Sequence, residues 1–420
     1  MKKILSVVLM LAMVLSTCFV LASCGTDENA KATGDTQTAG ENTGSGEKLS
    51  VDPDFKVGFI FLHDENSTYD KNFMDAAKAA QEAVGLSDSQ VLFKSNVPEG
   101  NECYEAAAEL ADAGCDLVFA DSFGHEPFIM QAAEEFEDVQ FYHATGVNAH
   151  TAGIENFHNA FASIYEGRYL AGIAAGMKLN EMIEKGDITA DEAKIGYVGA
   201  FNYAEVVSGF TSFFLGARSV CESATMEVVY TNSWFDIALE KEAANKLMDD
   251  KCVLISQHAD SEGAPKACEE RGVPNVAYNI STMSMAPTTA LISSKINWAP
   301  YMQMIIEAAV KGEKVAADTC YTMKEDAVQI LGLNEAVAAE GTAEALEEAK
   351  AKLLSGEIKV FDTSKFTVNG EHLTEYMADV VSDPNFEPDT NVISDGCFRE
   401  SEERSAPYFD IKYIDGITEK

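Results

Sequence analysis

The stretch KVGFIFLHDENSTYDKNFMDAAKAAQEAVG, residues 56–85, decides the fold. Its first seven residues form a short apolar run with β-branched and aromatic side chains, as in a strand buried on both faces. From Phe73 to Val84 the apolar positions recur with a helical period, and Gly85 stands where a helix needs a left-handed closing residue. The polar segment from His63 to Tyr69 joins the two. Strand, polar turn and helix together make half of a parallel βαβ unit.

The unit repeats. QVLFKSNV (90–97), CDLVFAD (115–121) and VQFYHATG (139–146) read as strands, with helices over 103–114 and 126–138. The cycle restarts after 161–180, read as a long helix whose Gly167, Ala171, Gly172, Ala175 and Gly176 suit close packing. Strands over 193–200, 225–231, 252–257 and 275–278 then alternate with helices over 208–220, 237–250 and 262–272. Such alternation predicts an α/β chain of two doubly wound parallel-sheet lobes with a cleft between them. The first lobe is expected over 55–155 with about 283–315, and the second over 160–280 with about 318–380. Residues 381–420 are expected to wrap back over a lobe.

Ahead of these lobes, Lys2 and Lys3 precede an apolar run that ends Leu21-Ala22-Ser23-Cys24. This reads as a secretory signal over 1–23. Its end resembles a bacterial lipobox, in which Cys24 would carry lipid and anchor the protein without spanning the membrane; cleavage at another site is the alternative. Residues 24–50 hold almost nothing to bury and read as a flexible tether. The expected location is the extracytoplasmic face of a membrane.

Thirty basic against 69 acidic side chains exclude a nucleic-acid partner, whose backbone needs the opposite sign. Such acidity suits solubility at a surface. The cysteines are scattered, with no CxxC pair, and their spacing does not assign disulfides. His143, His150 and His158 lack a chelate spacing, so no metal and no cofactor are expected. There is no GxxxxGK[ST] and no GxSxG, and no catalytic residue is assigned; a binder is expected rather than an enzyme.

In open parallel sheets, ligands sit beyond the carboxyl ends of the strands. Those positions hold His63 to Tyr69, Asp121 to His125, Phe201 to Tyr203, Asn232 to Asp236 and His258 to Ser261. Aromatic and hydrogen-bonding residues therefore gather at equivalent edges of both lobes.

With VGAFNYAEVVSGFTSFFLGAR (198–218), NSWFD (232–236), ISQHADSEGAP (255–265) and SSKINW (293–298) in that order, the chain resembles the basic membrane protein family from about Lys56 to about Gly370. These are lipoproteins of ABC importers similar to the purine-nucleoside binder PnrA, and the Trp-bearing branch is the nearer match. The resemblance implies a type I periplasmic-binding-protein fold with a hinge, a purine nucleoside or base as ligand, and a permease and ATPase as partners to a monomer. Trp234, Phe123 and Phe201 are then the stacking candidates, and Asp64, Asn66, Asn202, Asp236 and Asp260 the polar ones. Lys295 matches a lysine that nucleoside-binding members carry near the sugar.

The chain also departs from that pattern. Asn66-Ser67-Thr68-Tyr69 replaces a Gly-Trp-Thr-Tyr, so Tyr69 is the candidate substitute for a stacking partner. Asn279 stands where nucleoside binders carry a ribose-gripping acid, which leaves a free base open. Structural roles compete at several positions: Asp64 and Asp236 as helix N-caps, Trp234, Phe123 and Phe201 as packing residues, Lys295 and Trp298 as hinge ties. A sugar or other small-solute binder, and a surface sensor lipoprotein, are the alternative functions.

Overall fold

The computed structural model describes residues 49–381 and 387–420. The signal segment, Cys24 and nearly all of the tether lie outside the described residues. The expected alternation is present: β1 (Val57–Ile60), α1 (Thr68–Val84), β2 (Val91–Lys94), α2 (Asn101–Asp112), β3 (Leu117–Ala120), α3 (Glu126–Glu135), β4 (Gln140–Ala144), α4 (Ala149–Ala152) and β5 (Phe157–Ala162). Then come α5 (Ile164–Lys185), β6 (Lys194–Gly199), α6 (Ala204–Val220), β7 (Thr225–Tyr230), α7 (Ile237–Asp249), β8 (Leu254–Gln257), α8 (Gly263–Arg271), β9 (Asn275–Tyr278) and β10 (Ala290–Ile296). The rest holds α9 (Ala299–Lys311), β11 (Asp318–Tyr321), β12 (Val328–Leu331), α10 (Thr342–Ser355) and the terminal strand β13 (Ile417–Glu419).

Two large sheets form among the described residues. The first runs β11-β5-β4-β3-β1-β2, the second β12-β10-β9-β8-β6-β7-β13. Within these two sheets all pairings are parallel except β10 with β12. Helix α1 shows how locally the sequence dictates this. Ser67 caps its start by accepting from Asp70 N, and Gly85 closes it at φ 83°, a conformation glycine adopts without steric cost.

The lobe boundaries differ from those expected. Residues 157–162 are a strand of the first sheet rather than the approach to a helix, and α5 begins only at Ile164. His158 and Asn159 interrupt its apolar run. His158 bonds Ala316 O and the Gln140 side chain, and the Asn159 carbonyl accepts from Gly146 N. β10 pairs with β9 and so belongs to the second sheet, not to the first lobe as 283–315 had implied. Helix α9 then returns to pack on α1, β11 joins β5, and β12 joins β10. The chain therefore crosses between the sheets after β5, after β10 and after β11.

Helix α5 packs along α6 in the second lobe, and here its small residues matter. A Cβ added at Gly172 would meet Phe213 O at 2.0 Å, one at Gly216 would meet Tyr169 O at 2.0 Å, and one at Gly176 would meet Ala217 O at 2.4 Å. Only glycine lets the two backbones come this close.

The C-terminal segment bonds to both lobes. β13 extends the second sheet beside β7, and the Glu400 carboxylate takes the Ser208 hydroxyl of α6. On the first lobe, Ser405 N donates to Asp318 at 2.7 Å, and Asn159 donates to the Ser405 hydroxyl at 3.0 Å. No described helix is long and apolar enough to cross a membrane.

Candidate functional site

The carboxyl ends of β1, β3 and β4 face those of β6, β7, β8 and β9 across the cleft. In this structure the cleft is shut. Thr68 donates to Asp260 O from both its backbone N (2.8 Å) and its hydroxyl (3.0 Å). The His63 and Phe235 rings meet at 5.3 Å, and those of Phe123 and Tyr203 at 5.6 Å. The enclosed space is about 20 Å³, room for about one water. A heterocycle can enter only when the lobes part.

The first lobe contributes Leu62, His63, Tyr69, Asp70, Ser122, Phe123 and Thr145 to the lining. Asp70 sits in the first turn of α1, 1% exposed. It accepts from His63 N at 2.8 Å and from the Ser67 hydroxyl at 2.6 Å. Asp121 lies beside it, with Oδ1 accepting from Leu62 N at 3.2 Å and Oδ2 without a partner. Burial, then the nearby Asp70 carboxylate, push the Asp121 carboxyl well above its usual range. Removing a carboxylate from water disfavours its charge, so burial favours the neutral form of Asp121. The Tyr69 hydroxyl donates to Asp121 O at 2.7 Å.

The second lobe contributes Glu205, Trp234, His258, Asp260 and Tyr278. Its rings form one cluster: Phe201 stacks on Tyr203 at 5.1 Å and meets Trp234 edge-on at 5.1 Å. Burial, then Glu240, Asp70 and Glu205, push Asp260 well above its usual range, which favours its neutral form. Asn279, in the left-handed region at φ 69°, donates to Asp260 Oδ1 at 3.2 Å.

The second-lobe wall is backed by buried charge. His258 is driven down to about 4 by burial and by Arg168. Its ring is therefore neutral, and its contact with Glu205 at 3.4 Å is a hydrogen bond rather than an ion pair. The Arg168 guanidinium lies 3.6 Å from the centre of the Tyr278 ring and donates to Gln257 O at 2.8 Å, a desolvated cation–π contact. Glu240 takes Ser261 N on both oxygens at 3.1 Å, which fixes the loop that carries Asp260.

The expected site residues divide by position. Tyr69, Phe123, Trp234 and Asp260 line the enclosed space, and Phe201 supports Trp234 from behind. Asn202 accepts from the Tyr230 hydroxyl and lines an outer cavity with Phe123. Asp64 holds the turn to Asn66, accepting from its backbone and side-chain nitrogens. Asp236 caps α7 by accepting from Ala238 N and Leu239 N at 2.9 Å. Lys295 lies on β10, its ammonium shifted down by burial and facing Asp75 and Asp326; it does not line the enclosed space. Trp298 stacks on Phe73 in the core at 4.5 Å. His143, His150 and His158 each bond separate partners.

Sequence reasoning did not select His63, Asp70, Ser122, Thr145, Glu205, His258 or Tyr278. Four of them, His63, Ser122, Thr145 and His258, lie just past strand ends. Asp70 and Glu205 lie in the first turns of α1 and α6, whose amino ends also point at the cleft.

Residues 60–364 match the family model of PnrA-like ABC transporter substrate-binding proteins. A purine-binding protein of Brucella abortus is 33% identical over 309 residues, 73% of this chain and 83% of that one. A putative ABC transporter glucose-binding protein of Haloferax volcanii is 31% identical over 314 residues, 74% of this chain and 72% of that one. An ABC transporter solute-binding protein of Conexibacter woesei superposes with a TM-score of 0.60 at 19% identity, covering 73% of this chain and 98% of the other. Residues 365–420 lie beyond the family match.

Proposed function

Because the chain belongs to the PnrA-like family of ABC transporter substrate-binding proteins, we propose that its cleft captures a purine base or purine nucleoside for import. The type I fold, the non-catalytic role and an extracytoplasmic location come with the family, as do a permease and an ATPase as partners. The observation that carries the purine reading is the pairing of an aromatic wall with a buried carboxyl, Asp260, in the lining. Trp234, backed by Phe201, offers a face for a flat ring, and Phe123 stands on the opposite lobe. Base–aromatic stacking contributes about 1–3 kcal/mol per base. Asp260 lines the space, and its neutral form, which burial favours, can donate one hydrogen bond and accept another, which suits the alternating edge of a purine. The purine-binding relative supports this assignment.

Asn279 has a place in this reading. Its amide orients Asp260, so it supports the residue that meets the ligand. Asp64 and Asp236 shape loops in the same way. Cys24 is the proposed lipid anchor.

A monosaccharide is the second reading, favoured by the glucose-binding relative. Calorimetric titration of the purified protein, first unfolded and refolded to strip carried ligand, separates the two. Adenine, adenosine, hypoxanthine, inosine, guanosine, a pyrimidine nucleoside, ribose, glucose and galactose form the panel. Binding of a purine or its nucleoside at about micromolar Kd or tighter is expected. Heat only with a sugar would overturn the purine reading.

A further inference from the structure

Phe123, Thr145 and Glu205 line the enclosed space and also a second cavity outside it, of about 420 Å³. That volume is within the range of small-molecule sites, about 300–1,000 Å³. Its outer wall comes from the C-terminal segment, with Ala406, Pro407, Tyr408 and Asp410 facing Tyr203 across it. This wall lies beyond the stretch that matches the family model. The segment is firmly placed, being bonded to Asp318 and Asn159 on one lobe and to Ser208 on the other.

The chemistry of the lining is uneven. Arg404 reaches the cavity, but its guanidinium donates to the carbonyls of Val380, Ala406 and Pro407, each at 3.2 Å. Glu205 and Asp410 add carboxylates, Asp410 being exposed and accepting the Tyr376 hydroxyl at 2.7 Å. Carboxylates accept hydroxyl donors well and repel phosphate. The exposed Tyr203 ring offers an apolar face to a saturated ring.

We propose that the C-terminal segment builds a second subsite, which takes the sugar of a purine nucleoside whose base lies in the inner cleft and which excludes phosphorylated forms. This rests on the purine reading of the inner cleft. With the lobes parted at the Phe123–Tyr203 contact, the sugar would pass Phe123 and Thr145 and place its hydroxyls between Glu205 and Asp410.

The test is titration of adenine, adenosine and adenosine monophosphate into the purified protein, Val147→Trp and Asp410→Lys. Val147 is half-buried on the wall of the outer cavity only, so a tryptophan there fills that cavity. The intact protein should bind adenosine about tenfold tighter than adenine and about tenfold tighter than the monophosphate. Val147→Trp should erase the adenosine advantage and leave adenine within about twofold. Asp410→Lys, on an exposed side chain, should narrow the gap between adenosine and the monophosphate by about threefold or more.

An equal loss of adenine and adenosine in Val147→Trp would put the base itself in the outer cavity and overturn the assignment. So would an unchanged adenosine affinity, or equal binding of the monophosphate by the intact protein. If Val147→Trp fails to fold, the Asp410→Lys arm still decides. Adenine binding without an adenosine advantage sinks the subsite alone; no binding of any purine sinks the cleft reading with it.

Discussion

Along the α5–α6 seam, backbone meets backbone. A Cβ at position 172 or 216 would fall 2.0 Å from a carbonyl oxygen of the facing helix. Across the interlobe cleft, side chain meets side chain. The contacts there include two hydrogen bonds from Thr68 to one carbonyl and two ring pairs. The seam is buried, whereas Phe123 and Tyr203 at the cleft remain exposed. The seam admits one spacing, because a close-packed interface has no second arrangement nearby. The cleft is held by contacts that can be given up one by one.

The largest expected effect comes from breaking the seam. Gly216→Val would force α5 and α6 apart, with a loss of about 4 kcal/mol or more. Thermal melting should show a collapsed transition or little folded protein. Any fraction that does fold should retain the parent affinity, because position 216 lies away from the lining. A variant that melts like the parent would show that the helices can separate cheaply, and the contrast would fail.

The mirror experiment is on the cleft. Trp234→Ala should leave the melting temperature within a few degrees and weaken purine binding by about tenfold. Unchanged affinity would remove Trp234 from the ligand wall and leave it a cover for the second lobe.

Both regions were partly legible in the sequence. The small residues of α5 stand out at helical spacing, and close packing was the direct reading of them. The strand-end rule brought Tyr69, Phe123, Trp234 and Asp260 to the enclosed space. It overreached at Asp64 and Asp236, because the same carboxylate that could hold a ligand can hold a turn or cap a helix, and composition does not distinguish the two. It missed Asp70 and Glu205 because they sit one turn inside helices. β5 was hidden by His158 and Asn159, whose bonds come from residues distant in sequence. The C-terminal wall was the least legible. It has no periodicity, and it is placed by long-range pairs such as Ser405 with Asp318 and β13 with β7.

Buried acids sharpen the comparison through pH. Glu240, behind the cleft, and Glu400, in the C-terminal segment, are each pushed up to about 7 by burial, from a reference of 4.5. A carboxyl whose folded pKa is raised contributes stability that is full below its unfolded pKa and lost as pH rises through the folded one. Stability should therefore fall from pH 4.5 to about pH 7, lowering the melting temperature by roughly 5 °C. Glu240→Gln should flatten that slope and leave the Glu400 share. A melting temperature that climbs over this window would mean that both acids ionise freely in the fold.

The smallest expected effect is the most discriminating one for the cleft. Asp260 is held above its usual range by burial and by the acids around it, which favours its neutral form, a group with one donor and one acceptor. Asparagine has the same shape, and its carbonyl can still take the Asn279 amide that Asp260 Oδ1 takes at 3.2 Å. Asp260→Asn should therefore change purine affinity at pH 7 by about threefold or less. Asp260→Ala, which leaves Asn279 without its acceptor and the ligand edge without a partner, should cost more. If the asparagine variant loses as much as the alanine variant, Asp260 is ionised when the ligand binds. The cleft would then be selecting for a positive charge rather than for the neutral edge of a heterocycle.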